Sequence, residues 1–263
     1  VSVVDLITRP DTPLVGELFP SPNIEPRKPG YAPSMLILHY TGLPTVERAL
    51  DVLSRPDCKV SCHYVIDENG RIIQMVAEDL RAWHAGVSYW GGETDINSAS
   101  IGIEIQNPGH MLGYPEFPAV QMRAVAALSH DIVLRHGIAP HYVLAHSDVA
   151  PGRKIDPGEK FDWAWLARQG VGNWVAPAPL DEGDPGLQPG CRSADVERAR
   201  RLLADYGYKI DLKGSFDADM QTIVRSFQLH FRPARTDGRL DRSTLDTLSR
   251  LDMPRSLKDG RIA

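Results

Sequence analysis

Four stretches of the 263-residue sequence carry side chains that ligate metals or move protons. His39 ends the apolar run MLILHY, Glu104 interrupts the isoleucine-rich IGIEI, His146 stands in VLAHSD, and Lys154 and Asp156 stand in PGRKIDPG. Two imidazoles and a carboxylate, His39, His146 and Asp156, are a donor set that zinc accepts in tetrahedral geometry, and a catalytic site leaves the fourth position to water. Such ligands need not be close in sequence, so spacing alone does not select them. A surface or hydrogen-bonded role is the commoner fate of the nine histidines present, and nitrogen and oxygen donors suit several divalent ions. Glu104 is harder to treat as packing, because a carboxylate inside an apolar strand is costly to bury unless it is paired or opens on a cleft. Lys154, next to Arg153, also reads as a solvated basic residue, and Asp156 as a loop residue before Pro157.

The elements that must position these groups follow from the apolar pattern. MLILHY at 35–40 predicts a strand covered on both faces. Residues 45–54 read as a helix, and SCHYVIDENGRIIQMV as a hairpin turning at Asn69-Gly70. In the strand 99–107, alternation sets Ile101, Ile103 and Ile105 on one face and Gly102 and Glu104 on the other. Pro118 opens a long helix that runs to His136 and stops at Gly137. A short strand at 142–146 and a closing helix at 161–170 follow. The order predicts an α/β domain, a mixed central sheet flanked by helices. A polar residue at the end of an apolar strand lies at the sheet rim, where sites form. The proline-rich residues 1–34 read as an extended lead-in, 35–174 as the catalytic domain, and 175–190, with four prolines, as a linker. Helical patterns at 194–206, 217–230 and 241–251 then predict a small three-helix domain over 191–255, with Asp217 and Asp241 as N-caps. A bundle of that size is marginal alone and is expected to lean on the first domain.

Composition narrows the possible classes. The chain is 42% hydrophobic with a formal net charge of -5, which argues against a chain built to grip nucleic acid. Cys58, Cys62 and Cys191 are too few and too uneven for a disulfide framework and read as incidental. No apolar run reaches the roughly 20 residues of a membrane span. The opening VSVVDLITRPDTPLV lacks the pattern of an intact signal peptide. An envelope location therefore requires a leader already removed, and a cytoplasmic one an unprocessed chain.

The motifs LILHYT (36–41), VSCHYVID (60–67), AWHAG (82–86), SIGIEIQNPG (100–109), LAHSDVAPGRKIDPG (144–158) and FDWAWLARQGVG (161–172) occur in order along nearly the whole first domain. Together they resemble the N-acetylmuramoyl-L-alanine amidases of the type 2 amidase family, related to peptidoglycan recognition proteins and phage T7 lysozyme. The resemblance implies Zn2+ as cofactor with His39, His146 and Asp156 as its ligands. It implies Glu104 as the acidic catalytic residue and Lys154 as the lysine that steadies the oxyanion. The AWHAG region lines the substrate cleft in that family, which implies substrate contacts for His84 and Trp83, and Asn107 is placed with them. His63 is expected to order the hairpin. Two departures stand out. Cys62 occupies the place of a tyrosine in T7 lysozyme-like relatives, and Asp156 that of a cysteine ligand. Cys62 then reads as packing, and Glu104 groups the chain with the glutamate-dependent bacterial amidases.

The stretches DVERARRLLADYGY (195–208), FDADMQTIVRSFQLHFRP (216–233) and DGRLDRSTLDTL (237–248) resemble a three-helix peptidoglycan-binding domain. The two-domain layout looks closest to the AmiD-type branch, whose members cleave murein stems and anhydro-muropeptides, while AmpD-like cousins prefer the latter. The implied partners are peptidoglycan or anhydro-muropeptides, and the implied reaction is hydrolysis of the amide between N-acetylmuramic acid and L-alanine. The competing readings are a recycling amidase restricted to 1,6-anhydro-muropeptides, a wall-recognition protein that binds without cutting, and another zinc hydrolase such as an esterase.

Overall fold

A computed structural model describes residues 6–251. Residues 1–5 of the lead-in and 252–255 of the expected second domain lie outside the described residues. The central sheet is built from β1 (Glu17–Leu18), β3 (Met35–Tyr40), β4 (Tyr64–Ile66), β5 (Ile72–Gln74), β7 (Ser100–Ile105) and β8 (Val143–Ala145), in the order β1-β5-β4-β7-β3-β8. Every pairing is parallel except the β4–β5 hairpin, so the sheet is mixed and mostly parallel. A separate ribbon pairs β2 (Ile24–Pro26) with β6 (Leu80–Ala82) antiparallel. The helices of the first domain are α1 (Val46–Ser54), α2 (Ile96–Ala99), α3 (Ala119–His136), α4 (His146–Val149) and α5 (Trp163–Arg168).

The unbroken apolar run of β3 has the expected cause. Leu36 and Leu38 enter one core with Ile101, Ile103, Ile105 and the α3 residues Val125, Leu128 and Ile132. Met35 and Ile37 enter a second core on the opposite face. Each fully buried isoleucine contributes roughly 1.5–3 kcal/mol of apolar transfer. Pleating then decides where the polar residues point. In the parallel register, Met35 lies beside Ser100, Ile37 beside Gly102 and His39 beside Glu104. His39 and Glu104 are therefore neighbours on the sheet face turned away from α3.

The lead-in is less irregular than its prolines suggest. Gly16, Phe19 and Ser21 donate backbone N–H groups to Ile72, Gln74 and Met75, which stitches β1 to the sheet edge. Strands this short carry no alternation to read, and Pro26 sits at the end of a ribbon strand where a missing N–H is tolerated.

Glu78 staples α3 to the hairpin. It accepts from Arg135 at 2.5 and 2.8 Å, from His136 at 2.6 Å and from the Tyr64 hydroxyl at 2.6 Å. Burial alone would raise this carboxyl. The donors outweigh it, Arg135 most, and hold it well below its ordinary value of 4.5. The network's contribution is therefore complete above about pH 4.5 and is lost as pH falls toward the depressed folded value. Arg135 is partly exposed and screened, so Glu78→Gln is expected to cost about 2–4 kcal/mol at pH 7 and much less at pH 3. Urea unfolding at both pH values checks this, and an equal penalty at both would reject it.

The second domain consists of α6 (Ala194–Tyr206), α7 (Ala218–Phe231) and α8 (Arg242–Arg250), capped by the side chains of Ser193, Asp217 and Asp241. It does not stand apart. Val196, Leu203, Tyr206, Phe227 and Phe231 share one core with Met35, Ile37, Trp90, Leu144 and Val149 of the first domain. The three cysteines are free thiols. Cys62 is fully buried against α1 beside Val65 and Ile73, and burial pushes its thiol up, away from the reactive thiolate.

Candidate active site

Three parallel strands deliver the site at their carboxyl ends. His39 ends β3, Glu104 stands beside it on β7, and β8 leads directly into α4, whose first residue is His146. Asp156 comes back from the following loop, held by the Ser147 N–H donating to the Asp156 carbonyl at 3.0 Å. His39, His146 and Asp156 are all buried and converge. His39 Nδ1 lies 2.9 Å from His146 Nδ1 and 3.2 Å from Asp156 Oδ2, and His146 Nδ1 lies 3.0 Å from the same oxygen.

The surrounding hydrogen bonds fix the tautomers. The Ser100 hydroxyl donates to the Ile96 carbonyl at 2.5 Å, so its oxygen accepts from His84 Nε2 at 3.2 Å. His84 Nδ1 is then an acceptor, and His39 Nε2–H donates to it at 3.0 Å. His146 Nε2–H donates to the Ala85 carbonyl at 3.1 Å. Both histidines thus turn a bare Nδ1 lone pair toward the Asp156 carboxylate. Three lone-pair donors with no proton between them repel one another unless a cation stands at their centre. Their separations approach the edge of about 3.3 Å that tetrahedral bonds of about 2.0 Å would give. Burial, with His146 adding to it, lowers His39 to about 4, so its imidazole is neutral and able to ligate.

Glu104 and Lys154 face the same cavity of about 460 Å3, which Tyr40, Thr41, Met111 and Arg153 also line. Two roomier clefts, of about 740 and 790 Å3, contain neither the triad nor Glu104, so volume alone does not select the site. Burial pushes Glu104 well above its ordinary value, Asp156 adds to the rise, and Lys154 opposes it. Glu104 Oε2 is buried with no hydrogen-bond partner among the described residues.

Of the other expected site residues, His84 lines this cavity. Both of its ring nitrogens are engaged inside the protein. Trp83 and Asn107 do not line the cavity. Trp83 Nε1 is itself buried. Asn107 is consumed by its own loop, donating to the Pro115 carbonyl at 2.9 Å and accepting from the Gly109 N–H at 2.9 Å. His63 accepts from the Gly102 N–H at 3.0 Å and so ties the hairpin to β7. Arg153, to which the sequence assigned no role, braces the cavity wall through the carbonyls of Ala85 and Val87. Its position in PGRK was the available signal. Tyr40 was also overlooked. Its hydroxyl donates to His110 Nδ1 at 3.1 Å because His110 Nε2–H is directed to Glu159 at 3.0 Å.

Gly102 explains why His84 fits. A Cβ there would lie 2.5–2.8 Å from the His84 ring. Gly102→Ala is therefore expected to push His84 off His39 and to weaken metal binding about 10–100-fold, as loss of a ligand's hydrogen-bond partner typically does. Chelator competition measures this, and unchanged affinity would show that His84 does not support His39.

The mixed sheet carries a buried two-histidine and carboxylate cluster able to hold a metal ion, and comparison with known proteins shows the family to which such a chain belongs. Residues 29–159 match the N-acetylmuramoyl-L-alanine amidase family and residues 192–248 match the family described as a putative peptidoglycan binding domain. The chain belongs to the N-acetylmuramoyl-L-alanine amidases. It is 37% identical over 223 residues to the N-acetylmuramoyl-L-alanine amidase AmiD of Escherichia coli, covering 80% of this chain and 79% of AmiD. The structure of AmiD in complex with the substrate anhydro-N-acetylmuramic acid-L-Ala-D-gamma-Glu-L-Lys superposes with a TM-score of 0.70 at 34% identity, covering 85% of this chain and 90% of that one. AmpDh3 of Pseudomonas aeruginosa, in complex with anhydromuramic pentapeptide, gives 0.70 at 33% identity, covering 85% and 93%. The 1,6-anhydro-N-acetylmuramyl-L-alanine amidase AmpD of Citrobacter freundii is 34% identical over 162 residues, covering 55% of this chain and 84% of AmpD.

Proposed function

We propose that this chain hydrolyses the amide between N-acetylmuramic acid and L-alanine in peptidoglycan and muropeptides, with zinc held by His39, His146 and Asp156. The convergence of two bare Nδ1 atoms on a buried carboxylate carries the metal assignment. Zinc supplies a Lewis acid that polarises the amide carbonyl and lowers the pKa of an attacking water. Glu104, with one oxygen unpartnered beside the triad, accepts that water's proton and returns it to the leaving alanine nitrogen. Lys154 favours the ionised form of Glu104 and donates where negative charge develops on the carbonyl oxygen. His84 holds His39 rather than the substrate.

Residues 35–174 act as the catalytic unit in this reading, 175–190 as the connection, and the part from 191 onward as the wall-binding unit. The match of residues 192–248 to a peptidoglycan-binding family favours polymeric wall as a substrate beside the soluble anhydro-muropeptides seen with AmiD and AmpDh3. Digestion followed by mass spectrometry, with metal-free and zinc-restored protein, tests this on intact sacculi and on a purified anhydro-muropeptide. Zinc-dependent release of stem peptides from both is expected. Release from the anhydro-muropeptide alone would point to a recycling enzyme. Binding without cleavage would leave a recognition protein.

A further inference from the structure

We propose that the second domain is a working part of the metal-site support: His230 and Tyr208 hold Asp148, and Asp148 holds the turn that presents His146. This rests on the assignment of His146 as a metal ligand. α4 has only four residues, so the direction of its first side chain depends on how the turn into it is fixed. That turn is fixed by Asp148, whose Oδ2 accepts the Ala145 N–H at 2.8 Å, the residue just before His146.

Asp148 itself is completed from the second domain. Its Oδ2 accepts from His230 Nδ1 on α7 at 2.6 Å, and its Oδ1 accepts from the Tyr208 hydroxyl after α6 at 2.6 Å. Both side chains of the His230–Asp148 pair are 0% exposed. His230 cannot swing away, because its ring is stacked between Trp163 at 3.8 Å and Phe231 at 3.9 Å. His230 Nε2 has no partner among the described residues, so Nδ1 is the ring's one polar contact there. Without His230 and Tyr208, the Asp148 carboxylate would remain buried with the Ala145 N–H as its one donor among the described residues. A buried carboxylate short of donors reorients or draws in water, and either outcome releases the turn that carries His146. His230 and Tyr208 are thus positioning residues for a ligand far away in sequence.

Two substitutions at one site separate positioning from packing in the full chain. His230→Phe keeps the stacked ring and removes the donor. His230→Asn keeps a donor near the Nδ1 position and removes the ring. Cobalt(II) serves as the probe, its visible absorption reporting ligand geometry and chelator competition reporting affinity. His230→Phe is expected to raise the cobalt Kd by about 10–100-fold and to alter the spectrum. His230→Asn is expected to keep both near wild type while losing more thermal stability. Tyr208→Phe, which deletes one oxygen, shifts the Kd in the same direction as His230→Phe and covers the case in which that variant does not fold. An unchanged Kd in His230→Phe and Tyr208→Phe, or affinity losses that simply follow thermal stability, would overturn the proposal. A wild-type chain that binds no cobalt or zinc would instead overturn the ligand assignment beneath it.

Discussion

Asp156→Ala is expected to lower amidase turnover by at least about 10³-fold and to strip the metal from the protein. Asp156 is the one anionic donor of the triad, and its Oδ2 faces both bare imidazole nitrogens. Two neutral imidazoles cannot hold a divalent ion as well as two imidazoles and a carboxylate can. A metal Lewis acid contributes several kcal/mol to the transition state, and about 4 kcal/mol at 1.36 per tenfold gives that factor. The fold should survive, because the loop is tied by the Asp156 backbone carbonyl, which alanine keeps. Metal content by elemental analysis and product release by chromatography measure the two halves. A metal-free variant with full turnover would remove zinc from the chemistry. A metal-loaded variant with full turnover would remove Asp156 from the ligand set.

Glu104→Gln is expected to lower turnover by about 10²–10⁴-fold while the metal stays bound. Glutamine fills the same volume but cannot accept a proton. Glu104 lies beside the triad rather than in it, so metal content should stay at the wild-type level. The pH profile carries a further signature. Burial raises the Glu104 carboxyl, and only its ionised form accepts a proton. Wild-type turnover should therefore climb as pH rises through that raised value, and the residual turnover of the variant should lack this limb. If the limb persists in Glu104→Gln, another group is the base.

The parts of this fold that could be read from sequence are those with a period. β3 declares itself as a strand buried on both faces, and the isoleucine alternation of β7 sets Glu104 opposite the core in which Ile101, Ile103 and Ile105 are buried. α3 begins after Pro118 and ends at Gly137, as its boundary residues demand. β1, β2, β6 and α2 were missed because elements of two to four residues display no period and form by pairing with what lies beside them. The meeting of His39, His146 and Asp156 could be anticipated from their motifs but not from spacing, since five strands and three α-helices lie between His39 and His146. The use of His84 was hidden for a different reason. Whether its nitrogens face a substrate or the protein depends on where Ser100 and His39 stand in space. The bonds of Asn107 to the Pro115 carbonyl and the Gly109 N–H likewise depend on how its loop closes.

The shared core sets a limit on modular inheritance. Trp90 of the first domain lies against Tyr206 and Tyr208, and a Cβ on Gly207 would come within 2.5 Å of its indole. A helical tail with a side chain at that place, or with different ridges against Met35, Leu144 and Val149, would not seat on this surface. Recombination can thus exchange the tail only together with the surface that receives it. Trp90 and Gly207 therefore constrain one another across the two domains.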